Sequence, residues 1–500
     1  MNPAVVNPAT APWRERALVP VLVFLGTVVA VISSLGAPLV PTIATVDHVS
    51  LSEAQWSLTV TMLVGAVATP VMGRLGDGPR RRPVILGAIA AVVVGSVLAA
   101  LPLGFGFLVA GRALQGVGLG LTPLAIAAAR DSLPAERSRS AVALLSITTV
   151  AGVGLGYPLT GVIAEAFGFH AGFWFGALIS AAALVLGALV VPPAPRREAA
   201  RLDGLGAVLI GLAVAGLLLV LTEGETWGWT SPGLWALAAA ALVLLAWWIR
   251  HELRTEHPLV DLRTLRNRTV LTADVTGLVA GVAMYLLMSL VTRFVQTPTA
   301  AGYGFGASVV VAGLALLPFS VLSVLSSKVV VPLARRTSTT TVLTLGCVVS
   351  LGAMLVFLFA RDHLWQVLVV MGIAGLGVGS TFAVMPGLIV SSVPAAEVGS
   401  AVSFNQVLRY IGYSTGSALC GAVLQAHTAA GQRLPSADGY RSAALIGCAV
   451  WVVIVLVTIV LPRRARAAAD GSGVDEELMV EESIADIAPG EDDVPLKVTP

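Results

Sequence analysis

The chain has 500 residues, of which 56% are hydrophobic and only 12% charged, and its formal net charge is +2. Its mean hydropathy is +0.89, whereas a soluble domain carries roughly 25% charged residues. That balance excludes a water-soluble core, and the cysteines Cys347, Cys420 and Cys448, all in apolar blocks, have no spacing for a metal or a disulfide framework.

Apolar blocks follow one another, each near the roughly 20 residues that cross a bilayer as helix. The pattern predicts spans near 17–45, 55–75, 83–103, 105–128, 138–165, 170–191, 203–222, 232–250, 269–294, 306–331, 338–360, 363–390, 399–427 and 440–462. The first block holds Pro20, Pro38 and Pro41 and has no small-residue cleavage site, so it reads as a retained span. The arginines of 80–82, 130–139, 196–201, 250–268, 335–336 and 463–466 fall in alternate loops. The other loops hold little beyond Arg361, Arg433 and Arg441. The positive-inside rule then puts both termini in the cytoplasm.

Two stretches about 260 residues apart are related. Ser132, Pro134, Ser140, Gly152, Gly156 and Gly161 recur as Ser392, Pro394, Ser400, Gly412, Gly416 and Gly421. The run Gln115-Gly-Val-Gly-Leu-Gly returns as Ala374-Gly-Leu-Gly-Val-Gly at nearly the same offset. A long-period repeat in a membrane chain points to two related halves with a transport site between them. The expected organisation is a short cytoplasmic segment 1–16, a six-helix bundle 17–191, and two extra helices with a linker 192–268. A second six-helix bundle follows at 269–462. Residues 463–500 form an acidic tail; from about Asp470 onward Lys497 faces ten acids, a composition that predicts disorder.

The candidate functional residues lie in five places. Between spans two and three runs Gly73-Arg74-Leu-Gly-Asp77-Gly-Pro-Arg80-Arg81-Arg82. A carboxylate at the end of a span is costly unless paired, and Asp131 at the end of span four is grouped with this loop. Span four carries Arg112 and Gln115, and an arginine inside a span must face protein or water, since hydrocarbon disfavours it by at least ~2.5 kcal/mol. Span five holds Gly152, Gly156, Pro158 and Gly161, a flat face for close approach of another backbone. Glu165 stands at its outer end as a possible partner of Arg112. Asp274 lies in the first turns of span nine, where the helix N-terminus favours a carboxylate. In span thirteen, Asn405, Gln406 and Arg409 occupy the repeat positions of Leu145, Ser146 and Thr149, so that one helix has become polar and suits a cavity wall.

Three of these segments carry a family resemblance that spans about residues 15–465. The 73–82 loop resembles the signature loop of the major facilitator superfamily, G-x-L-x-D followed by basic residues, with Gly78 where a basic residue usually follows the aspartate. Arg112 to Gly118 looks like that family's R-x-x-x-G-x-G motif, and span five partly matches the glycine-proline motif of its drug exporters. The linker from His257 to Arg268, with the span count, resembles the fourteen-helix drug:proton antiporter branch. That branch often has an aspartate in span one, where this chain offers Ser33 and Ser34 and no acid.

The resemblance implies an all-α integral membrane fold of two six-helix bundles plus two central helices, working in the plasma membrane as a monomer. It implies that Asp77 and the nearby arginines latch the cytoplasmic side. It also implies that Arg112, with Gln115, lies in the transport path and is linked to proton movement; with no acid in span one, the remaining candidates for proton binding are Asp274 and Glu165. Expected partners are a small-molecule substrate, protons and the bilayer, without nucleic acid; no cofactor is expected beyond a proton gradient, and no metal. The expected function is proton-coupled efflux of small amphipathic molecules. A facilitator or importer of a polar metabolite stays open, although Asn, Gln and Trp are sparse in the spans. An enzyme is disfavoured because the six histidines are scattered singly.

Overall fold

The structure, a computed structural model, describes residues 12–35, 39–194, 202–394, 397–429, 432 and 434–485. Among these the regular elements are helical, as a chain with few polar side chains requires if its backbone groups are to be satisfied without water. The first half contains α1 (Pro12–Ser34), α2 (Val40–Val46), α3 (Leu51–Gly76), α4 (Arg81–Ala100), α5 (Phe105–Val117), α6 (Leu121–Ser132), α7 (Ala135–Phe167) and α8 (Phe169–Val190). A central pair follows, α9 (Gly204–Trp227) and α10 (Pro232–Glu252). The second half contains α11 (Arg268–Gln296), α12 (Val309–Ala315), α13 (Leu317–Arg336), α14 (Thr339–Phe359), α15 (Leu364–Val390), α16 (Val398–Ala426) and α17 (Ala437–Ala485).

Local chemistry sets the helix ends. Ser50 Oγ accepts from the Glu53 amide at 3.1 Å while Glu53 Oε2 accepts from the Ser50 amide at 2.8 Å, a reciprocal cap that starts α3. Asp203, Asn267, Ser308 and Ser338 cap α9, α11, α12 and α14 in the simpler one-way manner. A single residue, Gly168 at φ 87°, turns the chain between α7 and α8, a conformation that costs a residue with a Cβ far more.

Twelve helical stretches among the described residues are long and apolar enough to cross a membrane. Two further long helices, α7 and α16, have 33 and 29 residues and are the ones at which the halves meet. The expected span 17–45 is divided instead: α1 ends at Ser34 and a separate short α2 begins at Val40. Pro41 explains the restart, because proline is best tolerated in the first turn of a helix; Pro38 lies outside the described residues. Span four is one rod with a 3-10 turn at Gly118–Gly120 between α5 and α6. The helix of α17 also continues past the membrane stretch to Ala485. That continuation takes in residues 463–485 of the segment expected to be an acidic tail.

The repeat in the sequence is a repeat of contacts. Gly152 and Gly156 of α7 lie so close to α1 that an added Cβ would stand 2.3 Å from Ala30 Cβ and 1.9 Å from Ser34 Oγ. Their counterparts Gly412 and Gly416 of α16 press on α11, with a Cβ 2.2 Å from Leu278 O and 2.1 Å from Val282 O. Gly116 abuts Thr61 of α3, and its counterpart Gly375 abuts Phe319 of α13. Gly118 meets Val92 of α4, and Gly377 meets Ser350 of α14. Each half therefore has the same internal neighbours, α1 matching α11, α3 matching α13, α4 matching α14 and α7 matching α16.

The halves touch along two seams, α3 against α16 and α7 against α13 and α15. The α9–α10 hairpin stands outside both bundles and leans through α9 on α3 and α16. The glycine contacts predict a large asymmetry in stability. Gly412→Val should lose about 1–3 kcal/mol, the usual cost of overpacking, and lower the melting temperature of detergent-purified protein by several degrees. Gly352→Ala, where an added Cβ meets nothing within 4 Å, should leave it unchanged or slightly raised.

Candidate functional site

At one end of the bundle the halves are joined by the loop singled out in the sequence. Asp77 stands at the C-terminal end of α3 and its carboxylate faces the first turn of α16 in the other half. Oδ1 accepts from the Gly399 amide at 2.6 Å and Oδ2 from the Ser400 amide at 3.0 Å. Free amides and the positive end of the helix dipole make this a natural seat for a carboxylate. The approach depends on Gly73 and Gly399, since a Cβ on Gly399 would lie 2.5 Å from Asp77 Oδ1 and 2.7 Å from Gly73 O. Burial pushes the Asp77 carboxyl up to about 6, opposed by the two amide bonds and by the charge of Arg74.

The other residues of this loop work within the first half. Arg81 is buried and pairs with Asp131 at 2.7 Å, while its Nε donates to Gly76 O at 2.8 Å. Arg82 donates to Ala188 O at the end of α8, and Arg80 is exposed. The loop is thus braced against α6 and α8, and Asp77 alone of its acids reaches across to the other half.

Arg112 is fully buried in α5. Nη1 donates to Ile32 O at 2.8 Å and Gln115 Oε1 at 2.7 Å, Nη2 to Ser33 O at 2.9 Å, and Nε to Ser57 O at 3.0 Å. The guanidinium thus caps the last carbonyls of α1, the negative end of that helix, and ties α1 to α3. Gln115 is held in turn by Ser96, to whose Oγ it donates at 3.0 Å. The suggested partner Glu165 is not there: it is exposed near the end of α7. A helix end supplies in place what a distant carboxylate would have had to reach for.

A second buried arginine stands in the other half. Arg409 of α16 donates through Nη2 to Tyr413 OH at 3.0 Å and through Nη1 to Gln406 Oε1 at 3.1 Å, and its Cζ lies 4.0 Å from the Phe382 ring centre. One turn before it, Asn405 donates to Asp274 Oδ1 at 2.9 Å and to Ala273 O at 3.2 Å. Asp274 is buried, and among the described residues no cation lies within ion-pair distance of it. Gly277 makes room for this contact, since a Cβ there would sit 2.9 Å from Asn405 Nδ2. The predicted residues therefore form a row of two hydrogen-bonded pairs that succeed one another along α16, Asn405 with Asp274 and Arg409 with Gln406.

That row ends at a cavity of about 240 Å³ toward the end opposite Asp77. Ser33, Ser34, Gln55, Tyr285, Tyr410 and Tyr413 line it, together with Thr222 of α9. Tyr285 and Tyr413 stack with centroids 4.4 Å apart, and Tyr410 donates to Leu119 O of the first half at 3.3 Å. The Ser33 and Ser34 hydroxyls donate back to their own helix. The glycine face of α7 lies behind this wall: Gly152 and Gly156 hold α1, Pro158 is buried within α7, and Gly161 faces Val310 of the second half. The three tyrosines and α9 were not anticipated. Tyr413 follows Arg409 by four residues, a spacing that puts its ring beside the guanidinium on one helix face.

Residues 22–417 match the family model of the Major Facilitator Superfamily. The chain is 28% identical over 427 residues to an MFS-type transporter of Mycobacterium tuberculosis, covering 83% of this chain and 60% of the relative, so it spans about three-fifths of that protein's length. It is 28% identical over 434 residues to the multidrug efflux pump LfrA of Mycolicibacterium smegmatis, covering 85% and 83% of the two chains. The tetracenomycin C resistance and export protein of Streptomyces glaucescens is 27% identical over 430 residues, 83% of this chain and 76% of the relative. Among solved structures, the human organic anion transporter MFSD10 superposes with a TM-score of 0.63 at 15% identity, covering 90% of this chain and all of that one, a likeness of fold.

The Asp77 contact gives a pH-dependent expectation. A carboxyl raised from 3.8 to about 6 in the closed arrangement binds its proton more tightly closed than open. Closure is therefore favoured as pH falls through about 6 toward the ordinary carboxylate value and is weakened above it. Spin labels at the exposed positions Arg80→Cys and Ser391→Cys, read by pulsed distance measurement, should show more of the short-distance population at pH 5 than at pH 8. Asp77→Ala should remove that pH dependence and, losing a helix cap of about 0.5–2 kcal/mol, enlarge the long-distance population.

Proposed function

The chain belongs to the Major Facilitator Superfamily, and on that premise we propose that it is a secondary active exporter of small amphipathic molecules, driven by protons entering in exchange. The observation that carries this reading is the opposite state of the two ends. One end is shut by Asp77 on the amides of α16, and a cavity lined from both halves lies toward the other. Two bundles that meet along two seams can rock about the cavity between them, which is alternating access. The relatives named as multidrug efflux and export proteins support the outward direction.

In this reading α7 and α16 cross the membrane beside the twelve apolar stretches, making fourteen spans. The cationic loops at the Asp77 end face the cytoplasm. The cavity is then the outward-facing vestibule, and its stacked tyrosines and serines suit a ligand with one flat apolar face and a few polar groups. Protons are taken up at the row from Asp274 through Asn405 to Arg409 and Tyr413. Asp274 is the acid of that row, and its single amide partner leaves it free to exchange a proton as α16 moves. Arg112, whose partners among the described residues are neutral, holds α1 and α3 together at the cavity floor.

The test is accumulation of amphipathic dyes in a host lacking its own pumps, with and without a protonophore, followed by purified protein in proteoliposomes. Expression should lower dye accumulation and the protonophore should restore it; protonophore-insensitive uptake would instead favour a facilitator. Asp274→Asn should bind dye with little change yet lose at least tenfold in transport driven by a pH gradient. Arg112→Ala should lose transport at equal protein levels in the membrane. If Asp274→Asn pumps normally against a gradient, the proton site lies elsewhere.

A further inference from the structure

A second, larger hollow lies away from the transport cavity, between the central hairpin and the second half. It measures about 400 Å³ and its walls include Val214 and Leu217 of α9, Leu245 and Trp248 of α10, and Phe404 and Leu408 of α16. Linker residues Leu253, Leu262 and Leu265 close it at the end nearest Asp77. Leu242 and Ile249 also line it and are 59% and 40% exposed, so the groove opens sideways, onto the surface that faces hydrocarbon. A dry apolar slot with an open flank has the shape and chemistry of a seat for an acyl chain.

Its closed end is cationic. Arg250, Arg254, Arg263, Arg266 and Arg268 are exposed there, and Arg263 Nη2 donates at 3.1 Å to the carbonyl of Leu253, itself a lining residue. The acids nearby are mostly committed. Glu252 is buried against the Trp248 indole, Asp203 is tied to His251 at 2.7 Å, and Asp261 caps the turn that begins at Leu262. Glu256 is the exposed one. Five guanidinium groups beside an apolar slot complement one membrane component, a phosphate-bearing lipid with its tail in the slot and its headgroup among the arginines.

We propose that this groove binds an anionic phospholipid, one acyl chain lying between α10 and α16 and the phosphate held by Arg263 and Arg266. The lipid fills the gap where the central hairpin fails to seal against the second half. Trp248 and Phe404, both lining the groove, pack against each other with centroids 6.1 Å apart, and Phe404 immediately precedes Asn405 and Gln406. An occupant of the groove therefore bears on the helix that carries both the Asp77 contact and the buried polar row.

The experiment needs no knowledge of what is transported. Full-length protein in mild detergent is titrated with phosphatidylglycerol or with phosphatidylcholine of the same chains, and bound lipid is counted by native mass spectrometry. Phosphatidylglycerol should bind at least tenfold more tightly, with one tight site. Arg263→Gln with Arg266→Gln, both exposed, should bring that preference close to unity. Leu242→Trp, which narrows the open flank, should weaken both lipids. Phosphatidylglycerol with brominated chains should quench the wild-type fluorescence more than that of Trp248→Phe, which locates the chain. Equal affinity for the two lipids, a preference that survives the double arginine change, or equal quenching with and without Trp248 would each overturn the proposal.

Discussion

In a bundle surrounded by hydrocarbon, a charged group has only the protein to satisfy it. Arg112 and Arg409 are both fully or almost fully buried, and much of the architecture between them is arranged around that fact. Arg112 takes the spent carbonyls at the end of α1 and a carbonyl of α3. Arg409 takes a tyrosine hydroxyl, a glutamine oxygen and the face of a phenylalanine ring. Among the described residues no acid lies within ion-pair distance of either, and each is held by dipoles. Moving either group out of its nest would leave the guanidinium itself without its buried acceptors, a cost of at least roughly 1–3 kcal/mol. The helices that supply those acceptors are therefore bound to one another.

α16 is the element through which distant parts of the molecule meet. Its first turn receives Asp77 from the other half. Its next turns hold Asn405 against Asp274, then Arg409, then the tyrosines at the cavity. Its outer side, at Phe404 and Leu408, forms a wall of the lipid-facing groove. A rigid helix transmits a tilt along its length, so a displacement at the Asp77 end is felt at the cavity. Gly412 and Gly416 press it against α11 closely enough that tilt, more than separation, is the motion left to it.

The two seams between the halves differ in kind. The α3–α16 seam is polar at its end, where the Asp77 carboxylate sits on two amides of α16. The α7 seam lies against α13 and α15, with Gly161 facing Val310 of α12. One seam suits a latch and the other a pivot.

Much of this was legible in the sequence, because hydropathy and glycine spacing are local properties. Block lengths set most helix positions, and the related stretches 260 residues apart predicted matching halves that the glycine contacts display. The loop around Asp77 was recognisable, since a carboxylate and several arginines at a tight turn have few physical uses at the edge of a membrane. What the sequence could not carry was the identity of partners. Arg112 and Ile32 are 80 residues apart, and Asp77 and Gly399 are 322 apart. Nothing in a span says that a guanidinium will cap a neighbouring helix rather than reach Glu165, because backbone carbonyls leave no mark on composition. The same holds for α9, an unremarkable apolar block that becomes a wall of the cavity, and for the groove beside α10. Sequence alone determined which segments are long and apolar enough to cross a membrane and which residues are too costly to be there idly. Only the tertiary structure decided what satisfies them, because that depends on which helix faces meet.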